Sequence, residues 1–204
     1  MMRRMVLLLL LTVLLLLGTA VSQHETESEN DDDGEEGKSR SDTVVFDIDG
    51  TITYSSWFGV NVRRKSRAAM SFWLDLGYQV VIVTARSQAL EWYTTSFLSM
   101  WRFPLDQVLE IVFAPETLDT DEEKIAYKTT ALTNLALSWD LNLMYAYGDS
   151  TTDFEAYANA GLSADRVFAL KRYWETKCQE GAWTECMQDY TNHLNYIADQ
   201  PPLL

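Results

Sequence analysis

Histidine and cysteine are both scarce in this chain, with two of each among 204 residues. Two thiols alone make a poor zinc site, so Cys178 and Cys186 carry no metal reading. With no Gly-x-Ser-x-Gly segment and so few histidines, a serine hydrolase has no support. Basic side chains are also few, 16 Lys and Arg against 30 Asp and Glu, leaving a formal charge of −14. That balance excludes nucleic acid as a partner, because counterion release needs a basic face. It gives no overall attraction to an anionic membrane either, so recognition of lipid or phosphate has to come from a local site. The apolar run Val6–Leu17 spans 12 residues, short of the roughly 20 that cross a bilayer. No internal repeat is visible.

What is present suits one packed domain: 47% of residues are hydrophobic and 12% aromatic. Ahead of it, Arg3 and Arg4, the short apolar run and the small residues Gly18-Thr19-Ala20-Val21-Ser22 follow the plan of a secretory signal peptide over residues 1–22. An uncleaved signal anchor is the alternative. Residues 23–42 read as a disordered acidic linker, since His24–Arg40 holds eight carboxylates and no side chain able to join a core. The folded domain is expected over 43–198, with 199–204 a tail. In a secreted chain Cys178 and Cys186 are expected to pair.

From Thr43 onward short apolar runs alternate with helical stretches. Strands are expected at Val44–Phe46, Gln79–Val83, Leu109–Phe113, Met144–Tyr147 and Arg166–Ala169. Helices are expected at Arg64–Leu76, Gln88–Trp101, Asp121–Leu137 and Thr152–Ala160, with a further helix in the tail Arg172–Ile197. This predicts an α/β fold: a Rossmann-like three-layer sandwich around a mostly parallel five-stranded sheet. Ligands of such sheets bind at the carboxyl ends of the strands.

The chemistry-bearing residues fall there. Asp47-Ile48-Asp49-Gly50-Thr51 follows the first strand, Thr84-Ala85-Arg86 the second, and Gly148-Asp149-Ser150-Thr151-Thr152-Asp153 the fourth, with Lys124 and Lys128 on the third crossover helix. A carboxylate such as Asp47 can attack phosphorus and divide a hard hydrolysis into two steps. An anion attacking a phosphate needs a divalent cation; Mg2+ prefers oxygen ligands, which Asp47, Asp49, Asp149 and Asp153 could supply. Asp49 is placed to protonate the leaving oxygen and then activate water. Gly50, Thr51, Thr84, Arg86 and one lysine would hold the phosphoryl oxygens. A lone Asp-x-Asp says little, but the ordered set is specific. Thr84 as a helix cap and either lysine on a solvated face are the plainer alternatives.

In this order the residues resemble the four motifs of the haloacid-dehalogenase (HAD) superfamily, over most of Thr43–Leu170. The resemblance implies Asp47 as nucleophile, Asp49 as acid and base, Thr84 as phosphate ligand, and Asp149 with Asp153 as the magnesium site. Tyr127-Lys128 followed by Leu132 and Leu135 is closer to the family pattern than Lys124, which favours Lys128. DIDGTIT, FWLDLGYQVVIVTAR and GDSTTDFEAYANAGLSADRVFAL further resemble the C-terminal domain shared by lipins and Nir-type phosphatidylinositol transfer proteins. Lipins of that group hydrolyse phosphatidate; the Nir-type members resemble phosphatidate-binding pseudo-enzymes. Here the acidic set is complete, including Asp149 where lipin-type motifs often carry Asn. The chain departs from lipins at Tyr54-Ser55-Ser56, in place of a Lys-Ser-Asp run, and in its leader.

Spacing bears on the substrate. Asp49 and Thr84 are 35 residues apart, and Thr84 and Lys128 are 44 apart, each interval filled by about one helix and one strand. No large cap domain fits, and an open site suits a bulky substrate. The expectation is a phosphatase for phosphatidate or a related phospholipid at a membrane surface. The alternatives are a non-catalytic phosphatidate-binding module and a secreted phosphatase of soluble or protein phosphoesters. No protein partner is read from the sequence. Trp57 and Phe58 could enter a bilayer interface or pack as a flap, while Trp73, Trp92 and Trp101 read as core positions of helices. His193 reads as a surface or hydrogen-bonded histidine.

Overall fold

The computed structural model describes residues 40–54 and 61–203. The leader, nearly all of the acidic linker, Trp57 and Phe58 lie outside these residues. Strand β1 (Ser41–Phe46) begins two residues ahead of the expected domain start. The other strands are β2 (Gln79–Ser87), β3 (Glu110–Ala114), β4 (Leu141–Gly148), β5 (Val167–Leu170) and β6 (Glu185–Met187). They form one sheet in the order β3-β2-β1-β4-β5-β6, parallel throughout. The helices are α1 (Ser66–Asp75), α2 (Glu91–Met100), α3 (Asp121–Ser138), α4 (Thr151–Asn159) and α5 (His193–Ala198).

Alternation along each strand divides the core in two. Val44, Phe46, Val80, Ile82, Tyr145 and Tyr147 face one side, against Met70 and Trp73 of α1, Phe97 and Leu98 of α2 and Ile197 of α5. Val45, Val81, Val83 and Ala146 face the other, against Leu132 and Leu135 of α3 and Phe154 and Tyr157 of α4. The three-layer α/β sandwich is as expected from the sequence. Both faces are covered, which is why the strands read as continuous apolar runs.

The sixth strand corrects the five-stranded expectation. β6 is three residues long and carries no alternating pattern of its own. It is held by pairing Phe168↔Glu185, Ala169↔Cys186 and Leu170↔Met187 and by a Cys178–Cys186 disulfide with a Cα–Cα distance of 5.8 Å. The tail is packed: Leu203 N–H donates to the Leu76 carbonyl at 2.7 Å, and Tyr145 donates to the Gln200 side chain at 2.8 Å. Of the three tryptophans read as core, Trp73 is buried, whereas Trp92 is 79% and Trp101 44% exposed. Both stand on α2 or at its end but outside its buried stripe of Thr94, Phe97 and Leu98. His193 is buried, and its Nε2 lies 2.9 Å from the Tyr147 hydroxyl; burial lowers its pKa to about 4. Among the described residues no helix is long and apolar enough to cross a membrane.

Candidate active site

Four chain segments reach the carboxyl edge of the sheet and surround a cavity of about 610 Å³. β1 delivers Asp47, whose N–H donates to the Tyr147 carbonyl of the neighbouring strand at 3.1 Å. The chain then turns tightly through Ile48–Ile52, with Gly50 at φ 76. A Cβ on Gly50 would fall 2.0 Å from Asp149 Oδ2. Glycine is required there both by the left-handed backbone and by the carboxylate pressed against it.

α3 starts on a capping box, Thr120 with Glu123, and carries Lys128 inward. The buried Lys128 Nζ donates to Asp47 Oδ1 at 2.7 Å and to Asp153 Oδ1. Lys124, one turn earlier, lies at the cavity rim and pairs with Asp121 at 3.0 Å. Of the two lysines, Lys128 is the one that faces Asp47.

The Gly-Asp-Ser-Thr-Thr-Asp segment has a structural logic of its own. Ser150 and Asp153 form the capping box of α4. Asp153 Oδ2 accepts from the N–H groups of Asp149 and Ser150, both at 3.1 Å, and from the Ser150 hydroxyl at 2.6 Å. Asp149, one residue beyond β4, accepts from Arg172 Nε at 2.7 Å.

Asp47, Asp149 and Asp153 each offer a carboxylate oxygen within 4.8 Å of the others, all buried. Asp47 has its pKa raised well above the usual carboxylate range by burial, with Lys128 opposing and the other aspartates adding. Burial, then the charge of Asp153, pushes Asp149 up to about 7 against the pull of Arg172. Burial also acts against ionised Asp153, but Lys128 and the Ser150 hydroxyl outweigh it and hold the group below its usual value. The crowded negative charge and the oxygen-only donor set fit a hard divalent cation such as Mg2+. Asp47 and Asp149 each give one carboxylate oxygen to a cationic side chain, whereas Asp153 has both engaged.

The Asp49 carboxylate is not part of this cluster. It is held bidentately by Arg86, Nε–Oδ2 2.9 Å and Nη2–Oδ1 2.7 Å, while Arg86 Nη1 donates to Thr94 at 3.0 Å. Its side chain therefore faces a guanidinium, not a metal position. Gly50 and Arg86 line the cavity; Thr51 and Thr84 do not. Thr51 Oγ1 is buried with no hydrogen-bond partner among the described residues, and Thr84 Oγ1 accepts from the Arg86 N–H at 3.2 Å.

Some residues of the site escaped the sequence reading. Arg172 was one, although it follows the apolar run Val167–Leu170 and the strand-end rule applies to it. Its neighbours Tyr173 and Trp174, with Gln179 and Tyr54, complete the wall. Buried Arg63 donates to the Gly50 carbonyl, to Gln188 O at 2.6 Å and to Lys171 O at 3.1 Å, tying the Ile48–Ile52 turn to the tail. Nothing in the basic run Arg63-Arg64-Lys65-Ser66-Arg67 marks which member turns inward.

Residues 44–171 match the family model described as the LNS2 domain of PITM 1-3. The human membrane-associated phosphatidylinositol transfer protein 3 is 32% identical over 142 residues, which is 67% of this chain and 14% of that protein. The chain thus matches about a seventh of the relative's length. Among solved structures, a D,D-heptose 1,7-bisphosphate phosphatase from B. bronchiseptica, complexed with magnesium and phosphate, superposes with a TM-score of 0.57 at 19% identity. The match covers 77% of this chain and 98% of that one. A HAD-like phosphatase from Mesorhizobium loti gives 0.58 at 16%, over 78% and 85%. The similarity to these phosphatases is one of fold, and the sequence match identifies the chain as a member of the LNS2-domain family, built on the HAD phosphatase fold.

Proposed function

We propose that this protein is a magnesium-dependent phosphatase that works through an aspartyl-phosphate on Asp47, with phosphatidate or a related phospholipid as substrate. The observation that carries this reading is the buried Asp47 carboxylate, bonded to Lys128 and gathered with Asp149 and Asp153 at the mouth of β1 and β4. Mg2+ held by Asp47 and Asp149 would supply charge compensation for a dianionic phosphate. Asp47 Oδ attacks phosphorus as the ester P–O bond breaks, and Asp49 gives the leaving alkoxide its proton. Asp49 then takes a proton from water, which attacks the acyl phosphate and releases inorganic phosphate. Lys128 fixes Asp47 and offers positive charge to the phosphoryl oxygens; Arg86 and Arg172 stand within the same cavity. The lipid reading draws support from the membrane-associated phosphatidylinositol transfer relative and from a cavity wall containing Tyr54, Tyr173 and Trp174.

A second reading is a phosphatidate-binding module without turnover. It is favoured by the bidentate Arg86–Asp49 pair, since both carboxylate oxygens are turned to a guanidinium instead of toward a leaving group. Phosphate release from phosphatidate vesicles and from a soluble aryl phosphate, each with Mg2+ and with chelator, separates the readings. Mg2+-dependent release from the vesicles supports the lipid phosphatase. Release from the soluble ester alone moves the substrate to small or protein phosphoesters. Vesicle binding with no release from either leaves the binding module.

The chain further reads as a secretory-pathway protein, secreted or held by its signal anchor. The Arg3–Ser22 pattern and the disulfide, a bond that persists in oxidising compartments, support that reading. Recovery of the chain from the medium with residues 1–22 removed is the expected result; an unprocessed cytosolic product would refute it.

A further inference from the structure

A second groove lies apart from the aspartate cluster, and neither the motifs nor the proposed chemistry uses it. Its volume is about 360 Å³, and its lining is Val62, Arg63, Arg64, Lys65, Arg67, Ala68 and Trp101. Arg64, Lys65 and Arg67 are exposed, Arg63 is buried, and Trp101 is 44% exposed. No carboxylate is among these residues. In a chain of net charge −14, four cationic residues within five positions are a local reversal of sign.

The backbone keeps the groove's charges in place. Lys65 precedes α1 in a left-handed conformation, φ 65, and the Arg64 carbonyl accepts from the Tyr190 N–H at 3.2 Å. The groove also adjoins the main cavity through one residue. Tyr54 lines that cavity, its hydroxyl accepts from the Arg64 N–H at 3.4 Å, and the Arg63 guanidinium stacks over its ring at 4.8 Å. A surface bound at the groove therefore lies beside the opening over Asp47.

We propose that the Arg64–Lys65–Arg67 groove is a docking site for an anionic phospholipid surface, separate from the phosphate-handling cavity. Charge complementarity selects the occupant: cationic side chains read a layer of lipid phosphates, and a half-exposed indole among them suits the head-group depth of a bilayer. The whole-molecule field opposes approach to such a surface, so the attraction is confined to this groove. The claim concerns binding alone and holds whether or not the aspartate cluster turns substrate over.

The test is co-sedimentation of the full-length chain with vesicles of phosphatidylcholine alone and with vesicles containing phosphatidylserine. The leader carries Arg3 and Arg4 and is shared by wild type and variant, so the change in phosphatidylserine preference between the two proteins is the readout. The variant combines Arg64→Gln, Arg67→Gln and Lys65→Asn, asparagine being a residue that tolerates positive φ. Three charges, each worth about fivefold near an anionic surface, predict a roughly 100-fold loss of partitioning into phosphatidylserine vesicles. Wild-type binding should also weaken as salt rises from about 0.05 to about 0.5 M. Secondary structure, melting temperature and any hydrolysis of a soluble aryl phosphate should stay as in wild type. Several results would overturn the proposal: equal wild-type binding to both vesicles, an unchanged preference in the variant, or binding that appears with phosphatidate but not phosphatidylserine. Retention by a polyanionic polymer with no vesicle binding would overturn it too. Asp47→Asn separates the two claims, because it should bind phosphatidylserine vesicles as wild type does even when no phosphate is released.

Discussion

Each aspartate of the site has its partner before any substrate arrives: Lys128 on Asp47 and Asp153, Arg86 on Asp49, Arg172 on Asp149. Burial makes those pairings costly to break from one side. Lys128→Met leaves two buried carboxylates facing each other, and the expected loss is about 3–5 kcal/mol at neutral pH. Because the carboxylates can escape by taking up protons, the loss should shrink at pH 5; thermal melts at the two pH values check it. Gly50→Ala meets both a positive φ and the Asp149 carboxylate, so it should destabilise by more than about 1 kcal/mol and weaken cation binding. Calorimetry should find wild-type affinity only if this close approach is wrong. Asp149 gives a pH dependence with a definite sign. Its folded pKa, about 7, is above its ordinary value near 3.8. Its contribution to the metal-free protein is therefore present below the ordinary value and lost as pH rises through about 7. Asp47 acts in the same direction, and Asp153, held low, in the opposite one. A bound cation needs the ionised carboxylates, so the rise in melting temperature on adding Mg2+ should grow from pH 5 to pH 7.5. A pH-independent rise would contradict the assignment of these groups.

At the scale of elements, the tail from Arg172 onward is one wall of the site, and its position depends on β6 and the Cys178–Cys186 disulfide. Replacing both cysteines by serine opens a short loop whose closure is worth roughly 2–3 kcal/mol on the chain-entropy model. Melting with and without reductant should show that loss in the wild type and not in the variant. The central layers were legible in the sequence because buried parallel strands and amphipathic helices leave periodic signals: Val44–Phe46 and Asp121–Leu137 fall within a few residues of β1 and α3. So was the meeting of Asp47, Asp149 and Asp153, because strand ends share one edge; that rule left Lys124 and Lys128 open, and the likeness to the HAD pattern favoured Lys128. The limits of legibility have physical causes. β2 runs on through Thr84–Ser87 with a register shift against β3, which sends the Arg86 guanidinium to Asp49 and buries Thr84; residue type and order do not encode such an irregularity. β6 is too short for a period. Trp92 and Trp101 occupy helical positions whose facing is set by α2 as a whole, not by aromatic character.

For the whole molecule, in a chain of strongly acidic charge, two local features adjoin through Tyr54: the carboxylate cluster and the basic groove. The most direct test of the account is to quench the protein in acid during exposure to phosphatidate vesicles with Mg2+, and then to weigh the peptide that contains Asp47. The account predicts an added phosphoryl mass on that peptide, lost with chelator and absent in Asp47→Asn, whose fold should be intact. Phosphate release that continues in Asp47→Asn, or no adduct and no release from any phosphomonoester, would contradict it.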